Sequence, residues 1–178
     1  MSENHVSQIA SRLSLRPPQR VSLENLEEVV NTIGLHKERD LQNDLEAISM
    51  KFKLVKDFER TFPSLCFALA TGVGKTRLMG AFISYLHLAH GVRNFFVLAP
   101  NLTIYKKLIQ DFTPGTKKYV FEGIGSFAIE PPELVTGDNF DTASTIEGLY
   151  GVRINLFNIS KINAEVRGGK MPKIRDFK

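Results

Sequence analysis

The chain has 178 residues, of which 43% are hydrophobic and 24% charged, a balance typical of a globular protein and not of a disordered one. No apolar run approaches the roughly 18 residues that a membrane-spanning helix needs, and the first residues lack the basic and apolar regions of a signal peptide. The single cysteine, Cys66, excludes an intrachain disulfide and indicates a reducing compartment. We therefore expect a cytoplasmic protein that has no membrane segment.

The formal net charge of +4 is unevenly distributed. Residues 161–178 contain six basic and two acidic groups, so the charges of residues 1–160 balance. A basic segment of this kind suits a polyanion such as nucleic acid. A solvated end of a domain would have the same charge, and charge alone does not separate the two readings.

Helices are predicted in the first third of the chain. Residues 1–15 have little periodicity and are expected to form a lead-in or a short helix. Apolar residues then recur at helical spacing from the Arg16 region to Gly34, a natural helix end. A second helix is predicted over about 40–57, from apolar residues at intervals of three and four. We expect a helical N-terminal segment over residues 1–60.

A glycine-rich loop with the sequence Ala-Thr-Gly-Val-Gly-Lys-Thr follows an apolar run at 65–70, which predicts a buried strand that includes Cys66. An apolar helical pattern over 77–90 follows the loop. Glycines let successive backbone N–H groups point at phosphate oxygens, and a helix start adds partial positive charge. Lys75 would reach the β- and γ-phosphates of ATP, and the Thr76 hydroxyl would ligate Mg²⁺. The loop residues predicted to bind the nucleotide are Thr71, Gly72, Val73, Gly74, Lys75 and Thr76.

Strands and helices alternate after the loop. Residues 94–99 form an apolar run typical of a central parallel strand, and Asn101 can cap the next helix. Residues 152–159 predict a further strand, and weaker patterns at 118–121 and 134–136 suggest short ones. The alternation predicts an α/β fold with a parallel sheet, in a domain that would span 61–178.

ATP hydrolysis needs an acidic residue at the end of a neighbouring strand, which holds Mg²⁺ and orients the attacking water. Pro100 follows the 94–99 strand, and Ser160 and Lys161 follow the 152–159 strand. Neither strand supplies the acid. We therefore expect this chain alone to bind nucleotide with little or no hydrolysis.

Three of these segments resemble motifs of superfamily 2 helicases and translocases. Residues 69–76 resemble motif I. The strict phosphate-loop pattern has a glycine where this chain has Leu69, and motif I in this family does not need that glycine. Residues 97–102 resemble motif Ia, and Arg16-Pro17-Pro18-Gln19 resembles the upstream glutamine motif. The order of these segments, with Lys-Tyr-Val-Phe, Ile-Asn-Leu-Phe-Asn-Ile-Ser-Lys and Arg-Gly-Gly-Lys further along, is similar to the N-terminal part of the restriction (Res) subunit of type III restriction enzymes.

The resemblance implies a RecA-like P-loop NTPase domain that is incomplete at its C-terminus, because the acidic motif of the family would come after Lys178. It implies that Gln19 recognises adenine, with Arg16 in support. It implies a parent enzyme that couples ATP-dependent DNA translocation to endonuclease cleavage in a restriction system, with a modification (methyltransferase) subunit as a possible partner. The residues implied to contact the DNA backbone are Asn101, Thr103, Tyr105, Lys106, Ser160 and Lys161.

Two other functions stay open at this point. A different P-loop enzyme, such as a nucleotide kinase, would transfer phosphate to a small acceptor and ignore DNA. A non-catalytic fragment that binds DNA or a partner protein would bind DNA in a salt-sensitive manner, whether or not ATP is present.

Overall fold

The computed structural model of the protein describes residues 4–139 and 151–159. The chain forms two compact units, which divide between Tyr85 and Leu86, and each is described by itself. The helices are α1 His5–Arg12, α2 Pro17–Ile33, α3 Leu41–Lys51, α4 Lys75–His90, α5 Leu102–Phe112 and α6 Gly125–Ile129, and the strands are β1 Asn94–Ala99, β2 Glu133–Thr136 and β3 Arg153–Asn158. Within the described ranges, no helix has both the length and the apolar character needed to cross a bilayer.

Helix α2 begins and ends where its sequence signals predict. Two prolines occupy its first positions, where a missing N–H costs nothing, and the Gln19 side chain accepts from the backbone N–H of Arg16 at 2.8 Å. The helix ends at Gly34, whose φ of +66° favours glycine. The predicted lead-in is a short helix, α1, capped by the side chain of Asn4.

Helix α3 is shorter than predicted, because it ends at Lys51 and not near residue 57. The apolar spacing continues past this end because Phe52 and Val55 turn back onto a buried cluster of Val29, Ile48 and Phe58. The periodicity therefore reflects packing onto the same cluster, which a turn satisfies as well as a helix does.

The strand predicted at 65–70 is wrong, since no ladder of backbone hydrogen bonds joins these residues to any other described part of the chain. Half-buried and exposed side chains do alternate along the segment, as in a strand. Phe67 anchors it through an edge-to-face contact with Phe82 of α4, at 4.8 Å between ring centroids. Cys66 lies on the outward side of this alternation and is exposed, so the prediction of a buried cysteine is also wrong.

The second unit contains a parallel three-stranded sheet in the order β1-β3-β2. Helix α5 packs against β1 and β3. The middle strand is β3, whose residues from Ile154 to Asn158 are all buried. β1 was predicted to be central, but among the described strands it lies at a side of the sheet, and Phe96 is accordingly 49% exposed. The parallel sheet and its helices confirm the predicted α/β alternation.

Residues 118–121 do not form the predicted strand; they form turns that fold back onto α5. The N–H of Val120 donates to the carbonyl of Asp111 at 2.8 Å. The ring of Phe121 packs between Phe112 and Phe127, with centroid separations of 5.7 and 4.9 Å. The β-like composition therefore results from an aromatic cluster around a turn. The weaker prediction at 134–136 is confirmed as β2, and the division into 1–60 and 61–178 stays a prediction.

Replacing Phe121 with alanine should lower the free energy of unfolding by about 3–5 kcal/mol. The Phe121 side chain is only 1% exposed, so its removal leaves a cavity in the aromatic cluster. Urea denaturation followed by circular dichroism measures this loss. Ile129→Ala, in the same unit at a position 89% exposed, is the control and should change stability by less than about 0.5 kcal/mol. Equal losses in the two variants would contradict the assigned core.

Burial and the nearby charge of Glu27 raise the pKa of Tyr85 to about 12. A phenol with a pKa near 10 in the unfolded chain then stabilises the fold fully below pH 10, and this contribution is lost as pH rises from 10 to 12. The free energy of unfolding should therefore fall over this interval, and it should fall less in Tyr85→Phe. Urea denaturation between pH 9 and 11 tests this, and an unchanged fall in the variant would contradict it.

Candidate functional site

The glycine-rich loop bends at two glycines before α4 begins. Gly72 and Gly74 have φ values of +80° and +97°, in the region that side chains with a Cβ rarely adopt. At Gly74 there is a second restriction, since a Cβ there would lie 2.7 Å from Nε2 of Gln19. No such contact exists at Gly72, where a Cβ would meet nothing within 4 Å. The sequence pattern thus corresponds to a backbone shape that only glycine supplies without strain.

The backbone donors of this loop are unpaired. The first backbone hydrogen bond of α4 runs from the N–H of Leu78 to the carbonyl of Gly74, at 3.2 Å. Across the described ranges 4–139 and 151–159, no group accepts a hydrogen bond from the six N–H groups of residues 72–77. Free donors at a helix start, with the positive end of the helix dipole behind them, form a site suited to an anion.

Lys75 adds a cation at the same place. Its Nζ donates to the carbonyl of Ala70 at 3.0 Å, so the side chain folds back along the loop. Thr76 follows in the first turn of α4 and is half-buried, while Thr71 is exposed and Val73 half-buried. Unpaired N–H groups, a lysine ammonium and a threonine hydroxyl within one turn fit the phosphates and Mg²⁺ of a nucleoside triphosphate.

Gln19 and Arg16 lie against this loop, although more than 50 residues separate them along the chain. The Gln19 side chain is 1% exposed. Its Nε2 donates to the carbonyl of Gly74 at 2.8 Å, and its Oε1 accepts from the backbone N–H of Arg16 at 2.8 Å. Arg16 donates from Nη1 to the carbonyl of Gly72 at 3.2 Å. The carbonyl oxygens of Gly72 and Gly74 are therefore both held by side chains from outside the loop.

A cavity of about 230 Å³ lies beside these contacts. It is smaller than the roughly 300–1,000 Å³ typical of ligand pockets. Two of its lining residues, Ser14 and Arg77, were not predicted. Arg77 donates from Nη1 to the carbonyl of Leu13 at 3.0 Å, and Ser14 has a φ of +47°. The remaining lining residues are Arg16, Gln19, Gly72, Val73 and Gly74.

The residues implied to contact DNA lie in the second unit. The side chain of Asn101 accepts from the N–H of Ile104 at 2.9 Å and so caps α5, as predicted. Thr103 and Lys106 are exposed, three residues apart on one side of α5. Tyr105 is 4% exposed and packs on the opposite side of the helix. Ser160 and Lys161 lie outside the described residues.

No metal site formed by protein ligands alone is present in the part of the chain that the structure describes, since no three His, Cys, Asp or Glu side chains come together there. A Mg²⁺ ion at the loop would therefore depend on the Thr76 hydroxyl and on phosphate oxygens. β1 is followed by Pro100 and β3 ends at Asn158, so neither of these two strands offers an acid at its end, whereas Asp138 lies two residues past the end of β2.

Gly74→Ala should destabilise the protein more than Gly72→Ala. Both substitutions cost about 1–2 kcal/mol for a side chain at positive φ. Only the first pushes on the Gln19 amide and breaks its bond to the loop, at a further cost of about 1–3 kcal/mol for a buried polar group that loses its partner. Urea denaturation measures both losses. In a Gln19→Ala background the two substitutions should cost the same, and a difference that persists there would contradict the proposed contact.

The chain matches the family model described as the type III restriction enzyme res subunit (ResIII), over residues 12–178. Neither the curated proteins nor the solved structures that were compared contain a match. The matched range includes Gln19, the loop with its free N–H groups, and the helix that Asn101 caps. A match over nearly the whole length, together with this loop, identifies the chain as a member of the res-subunit family of type III restriction enzymes, with their superfamily 2 helicase-like domain.

Proposed function

We propose that residues 71–76 bind the phosphates of ATP together with Mg²⁺, as the nucleotide site of a helicase-like motor that acts on DNA. The observation that supports this most directly is the set of six unpaired N–H groups over residues 72–77. Every helix start leaves its first N–H groups free, and here the N–H groups of residues 72–74 are free beside them, so that all six are open to one acceptor.

Each loop residue has a distinct part in this proposal. The free N–H groups surround the phosphate chain. Lys75 exchanges its bond with the carbonyl of Ala70 for one with a phosphate oxygen, which is the stronger interaction because both partners are charged. The Thr76 hydroxyl would hold Mg²⁺, and a Mg²⁺ ion there would supply positive charge to offset that of the phosphates.

The base of the nucleotide would enter the cavity beside Gln19. Both polar atoms of the Gln19 side chain already bond to the backbone, one to the loop and one to Arg16. The amide nitrogen keeps a second hydrogen and the oxygen a second lone pair, which match the donor and acceptor on the adenine edge. Adenine recognition through Gln19 therefore requires no rupture of its present bonds.

The proposal for this stretch of chain is binding and not hydrolysis. Attack on the γ-phosphate needs a carboxylate near the loop to orient water, and neither β1 nor β3 ends in one. ATP-driven translocation on DNA, cleavage of DNA and association with a modification subunit are further proposals, which rest on membership of the family alone.

Lys75→Ala should weaken ATP binding at least tenfold, because a hydrogen bond between charged partners contributes about 1.5–3 kcal/mol and 1.4 kcal/mol corresponds to a factor of ten. Isothermal titration calorimetry with ATP and Mg²⁺ measures the affinity. Lys53→Ala removes the same charge from an exposed position that belongs neither to the loop nor to the lining of the cavity, and it is the control, with no expected change. ATP affinity that Lys75→Ala leaves unaltered would sink the proposed site.

A further inference from the structure

Helix α5 has one packed face and one basic face. Its packed face consists of Tyr105, Leu108 and Phe112, all buried. Thr103, Lys106, Lys107 and Gln110 are all exposed and follow the i, i+3, i+4, i+7 spacing of a single helix side. The exposed side therefore contains two adjacent lysines and no acidic residue.

The turn after α5 extends this basic face. The Thr116 hydroxyl lies 2.7 Å from the carbonyl of Gln110 and 2.9 Å from that of Thr113, so it bonds the turn to the last helical residues. The bond from the N–H of Val120 to Asp111 closes the turn from its other end. Lys117 and Lys118 are exposed within this fixed turn, beside the helix end to which Gln110 belongs.

The charge on this surface is not balanced locally. Within residues 4–139 and 151–159, no carboxylate forms an ion pair with Lys106, Lys107, Lys117 or Lys118. Asp111, the acid of α5, is 4% exposed. The first exposed acid along the chain after the turn is Glu122.

Other exposed helical faces of the same chain are arranged differently. On α2 the guanidinium of Arg20 pairs with Glu24 at 2.9 Å, and Lys51 of α3 pairs with Glu28. Lysines in the last turn of a helix can stabilise the helix dipole, but Lys117 and Lys118 lie five and six residues past the end of α5. The dipole gives no reason for Lys106 and Lys107, which lie in the middle of α5.

We propose that Lys106, Lys107, Lys117 and Lys118, the lysine face, bind the sugar-phosphate backbone of DNA along the length of α5. This inference rests on the proposed action on DNA and extends the contact expected at Asn101 and Thr103. An α-helix of 11 residues is about 16 Å long, which corresponds to about five nucleotides of one B-form strand. Lysine ammonium groups act there as point charges, so the face binds phosphates without reading sequence.

The test is a triple variant of the full chain, Lys107→Gln, Lys117→Gln and Lys118→Gln, which leaves Lys106 of the expected motif Ia contact intact. Binding to a fluorescent 30-base-pair DNA duplex is measured by anisotropy over a range of salt concentrations. Each lost phosphate contact reduces the slope of log K against log salt by about 0.9, so the slope should fall by about 2–3. The affinity at low salt should fall at least tenfold.

The matched control is Lys37→Gln, Lys53→Gln and Lys56→Gln, which removes three exposed positive charges from the first unit. Its DNA affinity should change by less than about threefold, which separates a local surface from an effect of net charge. Circular dichroism and urea denaturation should give the same result for both variants as for the unsubstituted chain, which shows that each is folded.

Equal losses of DNA affinity in the two triple variants would overturn the lysine face in favour of a net-charge effect. DNA binding that the first variant leaves unchanged would overturn it while the proposed action on DNA stands, and an acidic protein would then be the better partner for these lysines. If the chain without substitutions binds ATP but does not bind DNA, that result would overturn both the lysine face and the DNA part of the proposed function.

Discussion

Two peptide groups in the glycine-rich loop are turned so that their carbonyls face α2 while the neighbouring N–H groups stay free. Gln19 holds one of these carbonyls and Arg16 the other. The positive φ values of Gly72 and Gly74 make this orientation possible, and the missing Cβ of Gly74 leaves the space that the Gln19 amide fills. The start of α4 depends on this arrangement of backbone dipoles, and so do the proposed anion binding and adenine recognition.

In the second unit, a single helix, α5, both covers the sheet and exposes positive charge to solvent. Parallel strands bury their middle member, and α5 covers β1 and β3 with an apolar stripe. The opposite side of the same helix is then available for lysines, whose solvation costs nothing there. A packed core and an electrostatic surface are thus placed on one short element by helical periodicity alone.

Much of this architecture could be predicted from the sequence where signals were local. The end of α2 at Gly34, the bounds of β1 and the cap at Asn101 follow from glycine chemistry, apolar continuity and side-chain capping. The strand at 65–70 could not be judged in this way. The alternation of buried and exposed side chains is a local property of the segment. A strand also needs a second strand for its backbone hydrogen bonds, and the sequence of one segment does not show which distant segment pairs with it.

The same limit explains the remaining differences. The apolar residues past Lys51 and around Phe121 pack onto clusters formed by other parts of the chain, so their spacing imitated a helix in one case and a strand in the other. In the candidate site, the loop residues followed from their motif, and the relevance of Gln19 followed from a family resemblance. Its bond to Gly74 and the contributions of Ser14 and Arg77 required the structure, because backbone carbonyls leave no trace in sequence.

The hydrogen bonds from Gln19 and Arg16 also reduce the conformational entropy of the loop. A glycine-rich segment would ordinarily sample many backbone states, and a ligand would have to select one of them at a cost in affinity. Here that selection has been made during folding, by a buried amide that belongs to a helix far away in sequence. The loop is thereby preorganised, and the stability of α2 becomes thermodynamically coupled to any anion that the loop accepts.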